Sequence, residues 1–180
     1  MADVDASRRG PEDVISSWHD YFVMVGGGSA ALTGLVFVAM TLHLEEIVGN
    51  PVHRHRARTI LTGFTAVFIR SALVLMGGQD FRAVAVELIA VLTVVELILY
   101  SSIRQAMSSA DRSVLWRTIG SFACLVLEEA GAVILFFGNA WGLYVVGLGM
   151  MSSFIFMVTG AWLLLVGVSA METAGAAKTR

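Results

Sequence analysis

A chain of 180 residues that is 57% hydrophobic and only 14% charged, with a mean hydropathy of +0.78, lies outside the range of a soluble globular domain. Its net charge of -2 singles out neither nucleic acid nor an anionic lipid surface as the main partner. One cysteine, Cys124, excludes an internal disulfide framework and a multi-cysteine metal site, and within an apolar helix it reads as a small packing residue.

Taken in order, the chain predicts an all-α, polytopic transmembrane helical bundle with about five membrane spans. Residues 1–17 form a polar N-terminal tail in which acids, arginines and Pro11 mix without an apolar core, unlike a cleaved signal or transit peptide. The transmembrane domain covers residues 18–168, with spans at 18–44, 59–76, 81–100, 115–138 and 141–168, and a polar tail at 169–180 closes the chain.

The first span is crowded with small residues. Glycines cost helix propensity in water, but in lipid they let helix backbones approach closely. Gly27, Ala31 and Gly34 fall on one stripe, with Ser29 and Thr33 on a mildly polar neighbouring one, so the helix is expected either to pack tightly or to line a pore. The run from Phe22 through Gly34-Leu35-Val36-Phe37-Val38-Ala39 to Leu42-His43-Leu44 resembles the opening of small bacterial integral membrane proteins to which no function is assigned. The likeness is confined to this helix and implies a multi-pass membrane fold.

A basic segment at 49–58 carries His53, Arg54, His55, Arg56 and Arg58 and is expected to be a cytoplasmic loop, since short arginine-rich loops remain on that side. The two histidines have no cysteine or aligned carboxylate nearby, so no metal site is expected. Arg70 lies within the second span, Gly77-Gly78-Gln79-Asp80 marks a turn, and the third span holds Glu87 and Glu96. Arg70 and Glu87 are equally distant from that turn, which in an antiparallel hairpin sets them at equal depth and predicts a structural or gating ion pair. Glu96 falls on roughly the opposite face of the third span, toward a second subunit or the cytoplasmic headgroups.

The fourth span contains Glu128 and Glu129 in adjacent positions. A charge at that depth costs roughly 3 kcal/mol on insertion scales, so each acid needs a partner, a proton or water. Glu128 shares its face with Ser121, Cys124 and Gly131 and is expected to be the interior protonation or ion-pathway residue. Glu129, among Phe122, Leu125, Val133 and Phe136, is expected to be neutral, paired with Arg70, or turned to a second subunit. Glu96 joins them as a third pathway candidate. The fifth span carries a stripe of Gly142, Gly149, Ser153, Gly160 and Gly167, expected to be a packing face.

Basic residues favour an external N-terminus and a cytoplasmic C-terminus: Arg54, Arg56, Arg58, Arg104, Arg112, Arg117, Lys178 and Arg180 inside, against Arg8, Arg9 and Arg82 outside. Trp18, Tyr21, Trp141 and Tyr144 then mark the outer interface. The arginine-, alanine- and glycine-rich composition suggests a bacterial cytoplasmic (inner) membrane. Neither a P-loop nor an HExxH, a nucleophile elbow or a CxxC is present, and no facing histidines invite haem, so neither catalysis nor a cofactor is expected. The expected function is a small homo-oligomeric channel or transporter for protons or small cations using intramembrane glutamates. The alternative is a non-catalytic regulatory, chaperone or assembly subunit, with a lipid- or quinone-acting enzyme as a third option. Expected partners are the lipid bilayer, further copies of the chain and a small cation or proton, but no nucleic acid.

Overall fold

The computed structural model describes the backbone of residues 10–108 and 112–178, and the side chains of these except 46, 51–52, 101–118 and 167–178. Among the described residues there are seven helices and no strand: α1 (Pro11–Ser17), α2 (His19–Leu42), α3 (Leu44–Gly49), α4 (Pro51–Val74), α5 (Phe81–Ser108), α6 (Arg112–Phe136) and α7 (Trp141–Lys178). Five of them, α2, α4, α5, α6 and α7, are long and apolar enough to cross a membrane. In a bilayer every backbone N–H and C=O must be satisfied internally, so an apolar chain of this length resolves into helices.

Several helices outrun their predicted spans. The basic segment expected as a loop forms the opening turns of α4, α5 runs on to Ser108, and α7 extends to Lys178. At 38 residues α7 is about 57 Å long, well beyond a hydrocarbon core of roughly 30 Å. Charge ends the apolar stretch without ending the helix, because arginine, alanine and glutamate are good helix formers. The first span does the reverse: it breaks at His43, and Glu45 opens into the short helix α3. Arg8, Arg9 and Arg180, and the side chains of Arg104, Arg112, Arg117 and Lys178, on which most of the orientation count rests, lie outside the described residues.

Two turns set the antiparallel pairing. Gly78, at φ 76°, closes the end of α4, and the Asp80 carboxylate caps α5 by accepting from the Ala83 N–H at 2.8 Å. Gly138, at φ 82°, does the same for α6, and Asn139 Oδ1 accepts from the Trp141 N–H at 3.0 Å at the start of α7. A positive φ suits glycine, which has no Cβ to clash.

In the bundle, α6 packs on both α5 and α7, α2 packs on α4, and α4 also meets α5 and α7. The α6–α7 hairpin is closed by glycine: a Cβ on Gly142 would stand 2.5 Å from Gly131 O and 2.6 Å from Leu135 N. On α2 the inward residues include the small Gly26 and Ser29. A Cβ on Gly26 would come within 2.8 Å of Ser71 Cβ, and Ser29 Oγ donates to Phe64 O at 2.6 Å. A buried cluster that includes Phe22, Val67, Leu88, Leu135 and Met150 fills the end nearer the two glycine turns, and another around Val36, Ile60, Phe64 and Leu164 fills the opposite end.

Gly142→Ala is therefore expected to destabilise the protein by about 1–3 kcal/mol in an unfolding titration in detergent micelles. Gly27→Ala, on the outward side of α2, is expected to change stability by less than about 0.5 kcal/mol.

Candidate functional site

Arg70, on α4, is 1% exposed, and Glu128, on α6, is 0% exposed. Arg70 Nη1 donates to Glu128 Oε2 in a buried ion pair, and Arg70 Nε donates to Ala66 O at 3.0 Å within its own helix. Ser153, on α7, donates its hydroxyl to Glu128 Oε1 at 2.7 Å. The guanidinium fork, held on one side by its own helix, presents the other side to the carboxylate. Three spans thus meet at one carboxylate. The backbones of α4 and α6 do not pack closely on each other, so the two long side chains bridge between helices that α5 and α7 flank.

Gly149 makes room for this arrangement. A Cβ there would collide with Glu128 Cγ and stand 3.1 Å from Glu128 N and 3.3 Å from Cys124 O. Nearby, the Tyr21 hydroxyl donates to Gly147 O at 2.5 Å and ties α2 to the same stretch of α7. Chemically the centre is a buried, charge-neutralised pair that links α4, α6 and α7 through side-chain hydrogen bonds.

The expected Arg70–Glu87 pair does not form. Both Glu87 oxygens instead accept from Gln79 Nε2, each at 2.9 Å. Equal depth in a hairpin says nothing about rotation around each helix axis, and an amide in the turn satisfies Glu87 without a cation. Gln79 also lines a cavity of about 320 Å³ between α1 and the α4–α5 turn, together with Glu12, Asp13 and His19.

Glu96, on α5, and Glu129, on α6, are half-buried and close enough to each other to interact electrostatically. Glu96 Oε1 is enclosed without a hydrogen-bond donor. Among the described residues neither acid has a hydrogen bond or an ion pair. The two adjacent glutamates of α6 thus part company: Glu128 turns inward to Arg70, and Glu129 turns toward the outer edge of the α5–α6 interface.

Gly27, Ala31 and Gly34 are exposed, and a Cβ on Gly27 or Gly34 would meet nothing within 4 Å. Thr33 donates to Ser29 O of its own helix, at 2.8 Å. The partners that sequence reasoning missed are Ser153 and Gln79. Ser153 was legible only as one of the small stripe Gly142–Gly149–Ser153, and the signal was that this stripe faces whatever carries Glu128; Gln79 had the plain signature of a turn residue. No set of three or more metal-ligating side chains comes together among the described residues. The chain matches no protein-family model, no curated protein and no solved structure.

Breaking the pair by Arg70→Ala or Glu128→Ala is expected to cost about 3–5 kcal/mol, because each leaves a charge stranded in low dielectric. A double-mutant cycle should give a coupling above about 0.5 kcal/mol between positions 70 and 128 and none between 70 and 87. The reverse result would restore the hairpin pairing.

Proposed function

We propose that this protein works by association within the membrane, as a non-catalytic regulatory, chaperone or assembly subunit. One observation carries this reading. The interior glutamate best suited to a transport site, Glu128, is buried and neutralised by Arg70 and Ser153, while Glu96 and Glu129, half-buried on α5 and α6, have no ion pair or hydrogen bond among the described residues. A transported proton or cation needs a site that opens to water, and a fully buried pair under a glycine contact is built to stay closed. Unpaired acids on an outward helix edge instead invite a second protein.

In this proposal the N-terminus is outside and the C-terminus inside a bacterial cytoplasmic membrane. The orientation is supported by the arginines that open α4 and by an aromatic group at the other end. There Trp18 and Tyr144 lie 4.7 Å apart edge-on, with Tyr21 and Trp141 adjoining, as in an interfacial belt.

A second reading is a homo-oligomeric channel or transporter for protons or small cations, with its path between copies of the chain. It is favoured by the outward stripe of Gly27, Ala31 and Gly34, which would let neighbouring α2 helices approach closely around a shared axis. Flux assays separate the two. Purified protein in liposomes is expected to carry no saturable proton, sodium or potassium flux. A saturable flux that disappears in Glu129→Gln, with folding intact, would put the second reading in place of the first.

A further inference from the structure

We propose that the face of α4 that opens with Arg54 and Arg58 binds an anionic phospholipid, its phosphate held by the two guanidinium groups and an acyl chain lying along the apolar face that follows. This goes beyond the association reading and does not depend on it. Arg54 and Arg58 are exposed and stand one turn apart on the same face of α4. Among the described residues neither has an ion pair or a side-chain hydrogen bond. Both lie in the opening turns of the apolar span His53–Val74. A guanidinium at that level needs an anion, and the hydrocarbon beside it supplies none. The same face continues through Thr65, Phe68, Ile69 and Ala72, all of them exposed. From Arg58 to Ala72 it runs about 21 Å, longer than one leaflet of a hydrocarbon core of roughly 30 Å.

Charge and position together select the occupant. Helix side chains lean toward the N-terminus of their helix, so both arginines reach out of the hydrocarbon toward the level of the headgroups. A phosphate diester at that level accepts from two guanidinium forks at once. The opposite end of the bundle offers no such pair: Glu12, Asp13, Asp20 and Asp80 are exposed there, and the exposed Arg82 stands two residues from Asp80. The net charge of -2 hides this asymmetry between the ends. Glu45, an exposed acid of the adjoining α3, pairs with neither arginine. A zwitterionic lipid brings its own ammonium to the phosphate, and a free phosphate has no chain to cover the apolar face. An anionic phospholipid satisfies both halves. The competing anion is a carboxylate of a second copy, but Glu96 and Glu129 are half-buried in their own chain, whereas a lipid phosphate stands free in the headgroup layer.

The test uses the full chain in detergent micelles, titrated with phosphatidylglycerol or with phosphatidylcholine of the same acyl chains and read by native mass spectrometry. One phosphatidylglycerol per chain is expected to bind about tenfold tighter than phosphatidylcholine. The preference should vanish in the Arg54→Gln, Arg58→Gln double variant and persist in Arg82→Gln, which removes an arginine from the opposite end. Circular dichroism of the double variant without added lipid should match the wild type, because neither side chain has a partner among the described residues. Should that variant fail to fold, the single variants Arg54→Gln and Arg58→Gln carry the test, each losing about threefold of the preference. Equal affinity of the wild type for the two lipids, or a full preference in the folded glutamine variants, would overturn the proposal. So would displacement of bound phosphatidylglycerol by an equal concentration of glycerol phosphate, which would make a free phosphate the ligand. A dimer that is lost in the double variant and resists phosphatidylglycerol would also overturn it, with a second copy as the occupant.

Discussion

The buried Arg70–Glu128 pair is the constraint on which the rest of the bundle depends. A guanidinium at hydrocarbon depth must find a counter-charge, and a carboxylate opposite it must have its remaining lone pairs satisfied. Meeting both conditions fixes the relative placement of three spans, because Arg70 comes from α4, Glu128 from α6 and the hydroxyl of Ser153 from α7. The geometry reaches further still. Glu128 can occupy its position only because Gly149 has no side chain, and α7 can lie that close to α6 only because Gly142 and Gly131 also lack one. Electrostatics and glycine packing are here one device: the glycines bring the helices together, and the charges set their register.

The four intramembrane acids are handled in three different ways. Glu128 has a cation and a hydroxyl, Glu87 has the amide of Gln79, and Glu96 and Glu129 have no hydrogen bond or ion pair among the described residues. Interior acids that are satisfied stabilise a fold, whereas acids left unsatisfied at a half-exposed edge are features that stability alone does not explain. That contrast moves the functional weight from the centre of the bundle to its outer surface. It is also the contrast that supports the proposed association over conduction through the core.

The small residues divide along the same line. Gly26 and Ser29 give up side-chain bulk to let α2 lie against α4, and removing that freedom would push two backbones apart. Gly27, Ala31 and Gly34, on the other side of the same helix, form a surface that is exposed among the described residues. In lipid, where hydrophobic burial no longer drives helix association, such close approach is a principal source of packing energy.

The long uninterrupted apolar runs of the sequence pointed to a helical membrane protein, because each is long enough to cross as a helix that satisfies its own backbone, whereas barrel strands are short and alternate in polarity. The identity of the problem residues was equally plain: an arginine and four glutamates in apolar surroundings are visible in any reading of the chain. Helix ends were less so, since α4, α5 and α7 continue past the hydrocarbon into charged turns that still favour helix. Which acid meets Arg70 was decided by tertiary structure. Hairpin spacing gives depth along an axis but not rotation about it, so Glu87 was at the right level and Glu128 in the right direction. The same missing angle separated Gly26 from Gly27 and Glu128 from Glu129, neighbours in sequence that the packing of other helices turned to opposite duties.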